Sequence, residues 1–358
     1  MSKTAIIVGA GASHEFNLPV GEGLKKKISD LCQTSSQGRN QSIANSNFED
    51  SLQRIVRSAF EPKTYTQADL VRAAYDISTN MPLAPSIDNF LHTKSENPLV
   101  VLTGKLAIAH CIHQAERDSL LNTTTSSEYE PLDFWRVEKT WILKLFKILA
   151  AQSNFEQFIE KLNNVEFISF NYDRCIKQFF IQSTKQYFNL DQQNLNKLEK
   201  SLNITYVYGH IGNLDFHDFG IYDFGRDPNL LYQRSEALEI QTFTESIHQR
   251  TKYLIHEKLD SCSHHIFLGF GFLDINMDIL FGKNAIKTEG VFATTFGLSQ
   301  SNISDIKSSL SDKFYAIDSH DSGGMIDLPE SQIVLRDCEC YKFFEIHDRI
   351  LSRIITSS

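Results

Sequence analysis

Four short segments carry the residue types that could do chemistry. Gly9-Ala10-Gly11-Ala12-Ser13 follows one apolar run, and Ser169-Phe170-Asn171-Tyr172-Asp173 closes a second. Tyr208-Gly209-His210-Ile211-Gly212 closes a third, and Leu268-Gly269-Phe270-Gly271-Phe272-Leu273-Asp274-Ile275-Asn276 leaves a fourth. Small residues such as Gly9, Ala10, Gly11 and Ala12 let a backbone come close to a diphosphate. Glycine also permits positive φ, and a following helix N-terminus supplies positive potential. Ser13 adds a hydroxyl donor. Gly269 and Gly271 allow a second close approach, and Asp274 or Asn276 could bond the ribose hydroxyls of a dinucleotide. The imidazole of His210 suits proton transfer near neutrality, typically worth about 10²–10⁴-fold. Asn171 is a polar group placed after an apolar run, where an open α/β sheet meets its ligands. Each segment also has a plainer reading: a tight strand-to-helix turn at 9–13, a helix cap at Asn171 and Asp173, a turn plus cap at 269–276, and a hydrogen-bonding role for His210, one of 12 histidines.

The elements that must position these groups can be read from apolar patterning. Thr4 to Val8 is a short Ile- and Val-containing run ahead of glycines, the pattern of a buried first strand in a parallel sheet. Further strand-like runs lie at Val165 to Phe170, Ile204 to Tyr208, His265 to Leu268 and Val291 to Leu298. Helical patterns separate them, from near Pro19 to about Cys32, at about 171–185, at about 236–259 and at about 342–356. Strands alternating with helices predict an α/β fold, a Rossmann-like parallel sheet flanked by helices. Residues 33–46 are rich in Ser, Asn and Gln and read as a loop. From about 47 to 150 apolar residues recur at three and four spacing, as in Phe48, Leu52 and Ile55, with a polar loop at 122–130. The expected organisation is a discontinuous core, residues 1–32 and 151–358, with a large all-helical insertion at 33–150 after the first strand-helix unit. The stretch 319–325 reads as a loop.

Composition narrows the classes. The 358 residues carry a net charge of −9, with 41% apolar and 22% charged side chains. An acidic chain is poorly suited to neutralising phosphates, and the compact basic run Lys25-Lys26-Lys27 scatters around a helix, so direct nucleic-acid binding is not expected. The six cysteines include no pair of CxxC motifs, and no metal is expected. Cys338 and Cys340 would share a face at strand period. No apolar stretch approaches the roughly 20 residues that span a bilayer. The chain reads as cytoplasmic, without a membrane partner.

The string GAGASHEFNLP resembles the NAD-binding fingerprint of the sirtuin family, GAGxSxxxGIP. Gly9, Ala10, Gly11, Ser13 and Pro19 match it, and Asn17 replaces a glycine, as a residue tolerant of left-handed backbone angles can. Asn171 and Asp173 match the family's Asn-x-Asp. His210 falls near its catalytic His-Gly, with Ile211 intervening, and GFGFLDIN looks like the later ribose-facing segment of bacterial sirtuin-like domains. The resemblance implies that Asn171 holds water and the nicotinamide ribose, that Asp173 orders the pocket, and that His210 acts as a base. It breaks where sirtuin deacylases continue Asp-Phe-Arg and this chain has Val20-Gly21-Glu22, and the family's four-cysteine ribbon is lacking. What it implies is therefore an NAD hydrolase yielding ADP-ribose and nicotinamide, of the sirtuin-like kind that serves as a toxic effector in bacterial antiphage defence. Homo-oligomerisation, or a partner such as a HerA-type ATPase or a short Argonaute, is implied by the same analogy. A non-catalytic NAD or ADP-ribose sensor and a zinc-free NAD-dependent deacylase stay open as alternatives.

Overall fold

β1 (Lys3–Val8) is buried almost throughout, and its side chains alternate between two cores. Ala5 and Ile7 join one hydrophobic cluster, Ile6 and Val8 the other. A strand buried on both faces belongs inside a sheet covered on both sides. In the computed structural model β1 pairs in parallel with β4 (Val165–Ser169) on one side and β6 (Cys262–Leu268) on the other. β5 (Ile204–Tyr206) extends the sheet beyond β4, and β8 (Gly290–Thr294) and β11 (Ile333–Arg336) extend it beyond β6, again in parallel. The order is β11-β8-β6-β1-β4-β5. Counted in chain order, these six strands run 6-5-4-1-2-3, the doubly wound Rossmann arrangement, with its topological switch between β1 and β6. The structure describes residues 3–37, 40–60, 65–123, 131–212, 214, 224–225, 240, 249–317 and 325–356.

Helices cover both faces. With Ala5 and Ile7 pack α2 (Gly21–Leu31), α3 (Ser46–Phe60), α4 (Gln67–Asn80), α5 (Ile87–Thr93) and most of α6 (Pro98–Arg117). With Ile6 and Val8 pack α7 (Trp141–Ala150), α8 (Phe155–Leu162), α9 (Cys175–Phe188) and α10 (Gln192–Ser201). The helical stretch between β1 and β4 is thus divided. α3 to α6 lie over one face of the sheet, whereas α7 lies over the other.

The loop expected at 33–46 is instead a two-stranded hairpin, β2 (Thr34–Gln37) with β3 (Asn40–Ile43). Ser35 and Ser42 face each other across it at 3.1 Å, and Ile43 is a buried apolar anchor. With so little apolar alternation, the backbone ladder alone defines the strands, and a hydrophobic pattern cannot reveal it. The span 33–150 is therefore not all-helical.

Toward the C-terminus, α11 (Gln249–Asp260) precedes β6, and α12 (Asp274–Phe281) follows it. β7 (Ile286–Lys287), β9 (Phe314–Ile317) and β10 (Met325–Asp327) form a small second sheet, with α13 (Gln300–Lys313) leading into β9. The expected terminal helix is two helices, α14 (Cys340–Ile346) and α15 (Asp348–Thr356). Cys338 precedes α14 and Cys340 opens it, so the pair does not share a strand face. Most of the loops expected at 122–130 and 319–325, and the first part of the helix expected at 236–259, lie outside the described residues. No helix among the described residues is long and apolar enough to cross a membrane.

Candidate functional site

At the switch point the turns leaving β1 and β6 press against each other. The Gly9 N–H donates to the Leu268 carbonyl, and the Gly11 N–H to the Gly269 carbonyl, both at 3.0 Å. A Cβ on Gly269, where φ is +55°, would stand 2.1 Å from the Ala12 nitrogen, and one on Gly9 would stand 2.5 Å from the Gly269 carbonyl oxygen. The glycines at these positions are thus required by the contact between the two turns. α1 (Ala10–His14) starts at once after Gly9, and Ala12 donates back to Gly9 at 3.0 Å. Several N–H groups expected to face a phosphate are therefore already engaged within the protein.

The turn after β4 locks onto the same loop. Both amide hydrogens of Asn171 are used: Nδ2 donates to the Gly9 carbonyl and to Ser13 Oγ, each at 2.9 Å. Ser13 Oγ passes its own hydrogen to Asp173 Oδ2 at 2.7 Å, and Asp173 Oδ1 accepts the Cys175 N–H at the start of α9. Asp173 thus serves α9 as a cap would, while Asn171 is bound to the glycine loop. Burial pushes the Asp173 carboxyl up, and the Ser13 hydroxyl opposes that. Asn17 takes φ +70° where the chain turns toward Pro19, as its substitution for glycine predicts.

Beyond these turns lies a cavity of about 610 Å³, within the range of about 300–1,000 Å³ that ligand pockets occupy. Gly9, Ala10, Gly11, Ser13, Pro19, Asn171, Asp173, Gly269, Gly271 and Asn276 all line it. Three expected site residues do not. Ala12 is fully buried and packs into the core, because the helical turn of α1 points it inward. Asp274 opens α12 on its exposed side, whereas Asn276, two residues on, accepts the Tyr208 hydroxyl at 2.6 Å. His210 lies in a second cavity of about 200 Å³, with Arg174, Lys177, Glu199 and Tyr206. Gly209 at φ +73° and Gly212 at φ +74° reverse the chain after Tyr208. Tyr208 thereby faces the large cavity, while the imidazole packs on Tyr206 and bonds the Gly212 carbonyl through Nδ1 at 2.8 Å. Among the described residues, the imidazole that lines the large cavity is His14, which is exposed.

The structure adds groups that the motifs did not indicate. Asp88, in the first turn of α5, lines the cavity, and its Oδ1 accepts the Tyr172 hydroxyl at 3.0 Å. Glu15 accepts the Trp141 N–H at 2.7 Å and the Tyr341 N–H at 2.6 Å, so that one carboxylate serves the N-termini of both α7 and α14. The Trp141 indole donates to the Ala12 carbonyl at 3.1 Å, tying α7 to the glycine loop. An N-terminal acidic residue in a helix, or a Glu beside a glycine loop, carries no sequence mark of such a role. Among the described residues no three His, Cys, Asp or Glu side chains converge as a metal site. No family model and no curated protein matches the chain.

Glu15 yields a pH prediction. Burial pushes its carboxyl up to about 7, against the backbone N–H bonds that hold it down, while the unfolded value is 4.5. The folded chain therefore keeps a proton that the unfolded chain releases. Stability from this group is complete below the unfolded value and is lost as pH rises through about 7. Between about pH 5 and pH 8 the loss is on the order of 2 kcal/mol. In Glu15→Gln that component of the urea-unfolding profile should flatten, at the cost of one acceptor for the two N–H groups. Equal pH slopes in the two proteins would exclude the assignment.

Proposed function

We propose that the cavity binds NAD and that the protein hydrolyses it to ADP-ribose and nicotinamide. The observation that carries this reading is the position of the cavity, at the β1/β6 switch point of a doubly wound parallel sheet, where dinucleotides bind. Its volume, its glycine turns and the presence of Asn171 in its wall are consistent with that substrate. The resemblance of the 9–19, 169–173 and 269–276 segments to sirtuin-like NAD hydrolases supports cleavage at the nicotinamide-ribose bond. The oxocarbenium character that develops there needs positioning and exclusion of bulk water more than a strong nucleophile. By the same analogy, the reaction would make the chain a toxic antiphage effector, restrained by self-assembly or a partner.

The location of His210 outside this cavity favours one second reading, a non-catalytic NAD or ADP-ribose sensor. Purified protein incubated with NAD separates the two. Hydrolysis predicts nicotinamide release that falls about 10²-fold or more in Asn171→Ala, with a melting temperature measured alongside. NAD binding without release selects the sensor, and the absence of any binding overturns both.

A further inference from the structure

The cavity is walled in part by α5, whose N-terminus is fixed by the Ser86 hydroxyl accepting the Asn89 N–H at 3.0 Å. Ser86, Ile87 and Asp88 all face the cavity from this turn. Among the described residues, four carboxylates line the cavity. Asp173 is held by Ser13 and the Cys175 N–H, and Glu15 by two backbone N–H groups. Glu339 is exposed at the rim. Asp88 is different. It is half-buried at the cavity wall, and its side-chain partner is the hydroxyl of Tyr172, the residue next to Asn171. Through Tyr172 the carboxylate is fixed to the same turn that places Asn171.

Resting on the hydrolase reading above, we propose that Asp88 is the catalytic base of this site, accepting the proton of the water that attacks the nicotinamide-bearing anomeric carbon. The water oxygen forms a bond to that carbon as the carbon–nitrogen bond breaks. The bonding pair passes to the pyridinium nitrogen, so nicotinamide leaves neutral, and the water's proton goes to the Asp88 carboxylate and then to solvent. A base of this kind works best when its pKa lies near the operating pH. Burial pushes Asp88 up to about 6, against the hydrogen bonds from Tyr172 and from its own backbone N–H. Among the described residues, the Tyr208 phenol also bears on it, and Asp88 disfavours the ionisation of that phenol.

The test uses the full chain with NAD, reading nicotinamide release across pH and NAD binding by calorimetry. The wild type should show kcat rising with pH through about 6 and then levelling. Asp88→Asn should lose about 10²–10⁴-fold in kcat together with that limb, while retaining NAD binding. Tyr172→Phe, which removes a hydrogen bond that holds the carboxyl down, should move the limb to higher pH. Release by the wild type with an unchanged Asp88→Asn profile overturns the role of Asp88 and leaves the hydrolase reading standing. So does loss of the limb in His210→Ala while Asp88→Asn keeps it, since that assigns the proton to the imidazole. NAD binding by the wild type without release overturns the hydrolase reading, and Asp88's role with it.

Discussion

Gly269→Ala should cost at least about 4 kcal/mol of stability and, on the proposed reading of the cavity, abolish NAD binding. Two costs act together. At φ +55° an L-residue meets a penalty of about 1–2 kcal/mol. The larger cost is steric, because the new methyl would meet the Ala12 nitrogen at 2.1 Å and the Gly11 carbonyl carbon at 2.3 Å. Both are backbone atoms, so no rotamer change relieves the clash. The β1 and β6 turns must separate, and the Gly11 N–H bond to the Gly269 carbonyl goes with them. Gly271→Ala is the control, since nothing lies within 4 Å of a Cβ there. It should stay within about 0.5 kcal/mol of the wild type in urea unfolding. A weakened affinity for NAD in that stable variant would mark Gly271 as a point of ligand approach. A Gly269→Ala protein as stable as the wild type would refute this account of the switch point.

The contrast shows what the sequence could convey. The buried strands β1, β4, β6 and β8 were legible because a strand covered on both faces is a continuous apolar run. Asn17 was legible as a left-handed position because few residue types tolerate one. The glycine motifs fall in turns that line the cavity, yet their glycines answer first to each other across β1 and β6, a contact spanning some 260 positions that no local pattern encodes. The direction of the His210 ring was illegible for a related reason. The positive φ values of its flanking glycines turn the ring toward Tyr206, a direction that no local pattern encodes. Asp88 was illegible because its partner Tyr172 is 84 residues away, and an acid in a helix's first turn is ordinary on its own. The hairpin at 34–43 escaped because its strands are polar.

Glu116→Ala should unfold more readily than the wild type by about 3–5 kcal/mol, because it strands a buried guanidinium. Glu116 and Arg174 have side chains 0% and 1% exposed, and their closest approach is 2.5 Å, from Nη2 to Oε2. Arg174 also donates Nε and its backbone N–H to Oε1, at 3.2 and 3.0 Å. The carboxylate sits in the last turn of α6, where the helix dipole opposes a negative charge, so its position serves Arg174 and not the helix. Arg174 follows Asp173 directly, and its backbone bond to Glu116 fixes the turn that carries Asn171 and Asp173. Stability and site geometry can be separated by the double variant Glu116→Met with Arg174→Met. An apolar pair of similar volume often matches or exceeds a buried ion pair in stability. The double variant should therefore recover most of what Glu116→Ala loses in urea unfolding. It lacks the acceptor for the residue 174 N–H, so NAD affinity should stay below that of the wild type. Full recovery of both would reduce the pair to packing, and a Glu116→Ala protein within about 0.5 kcal/mol of the wild type would remove it from the stability of the fold.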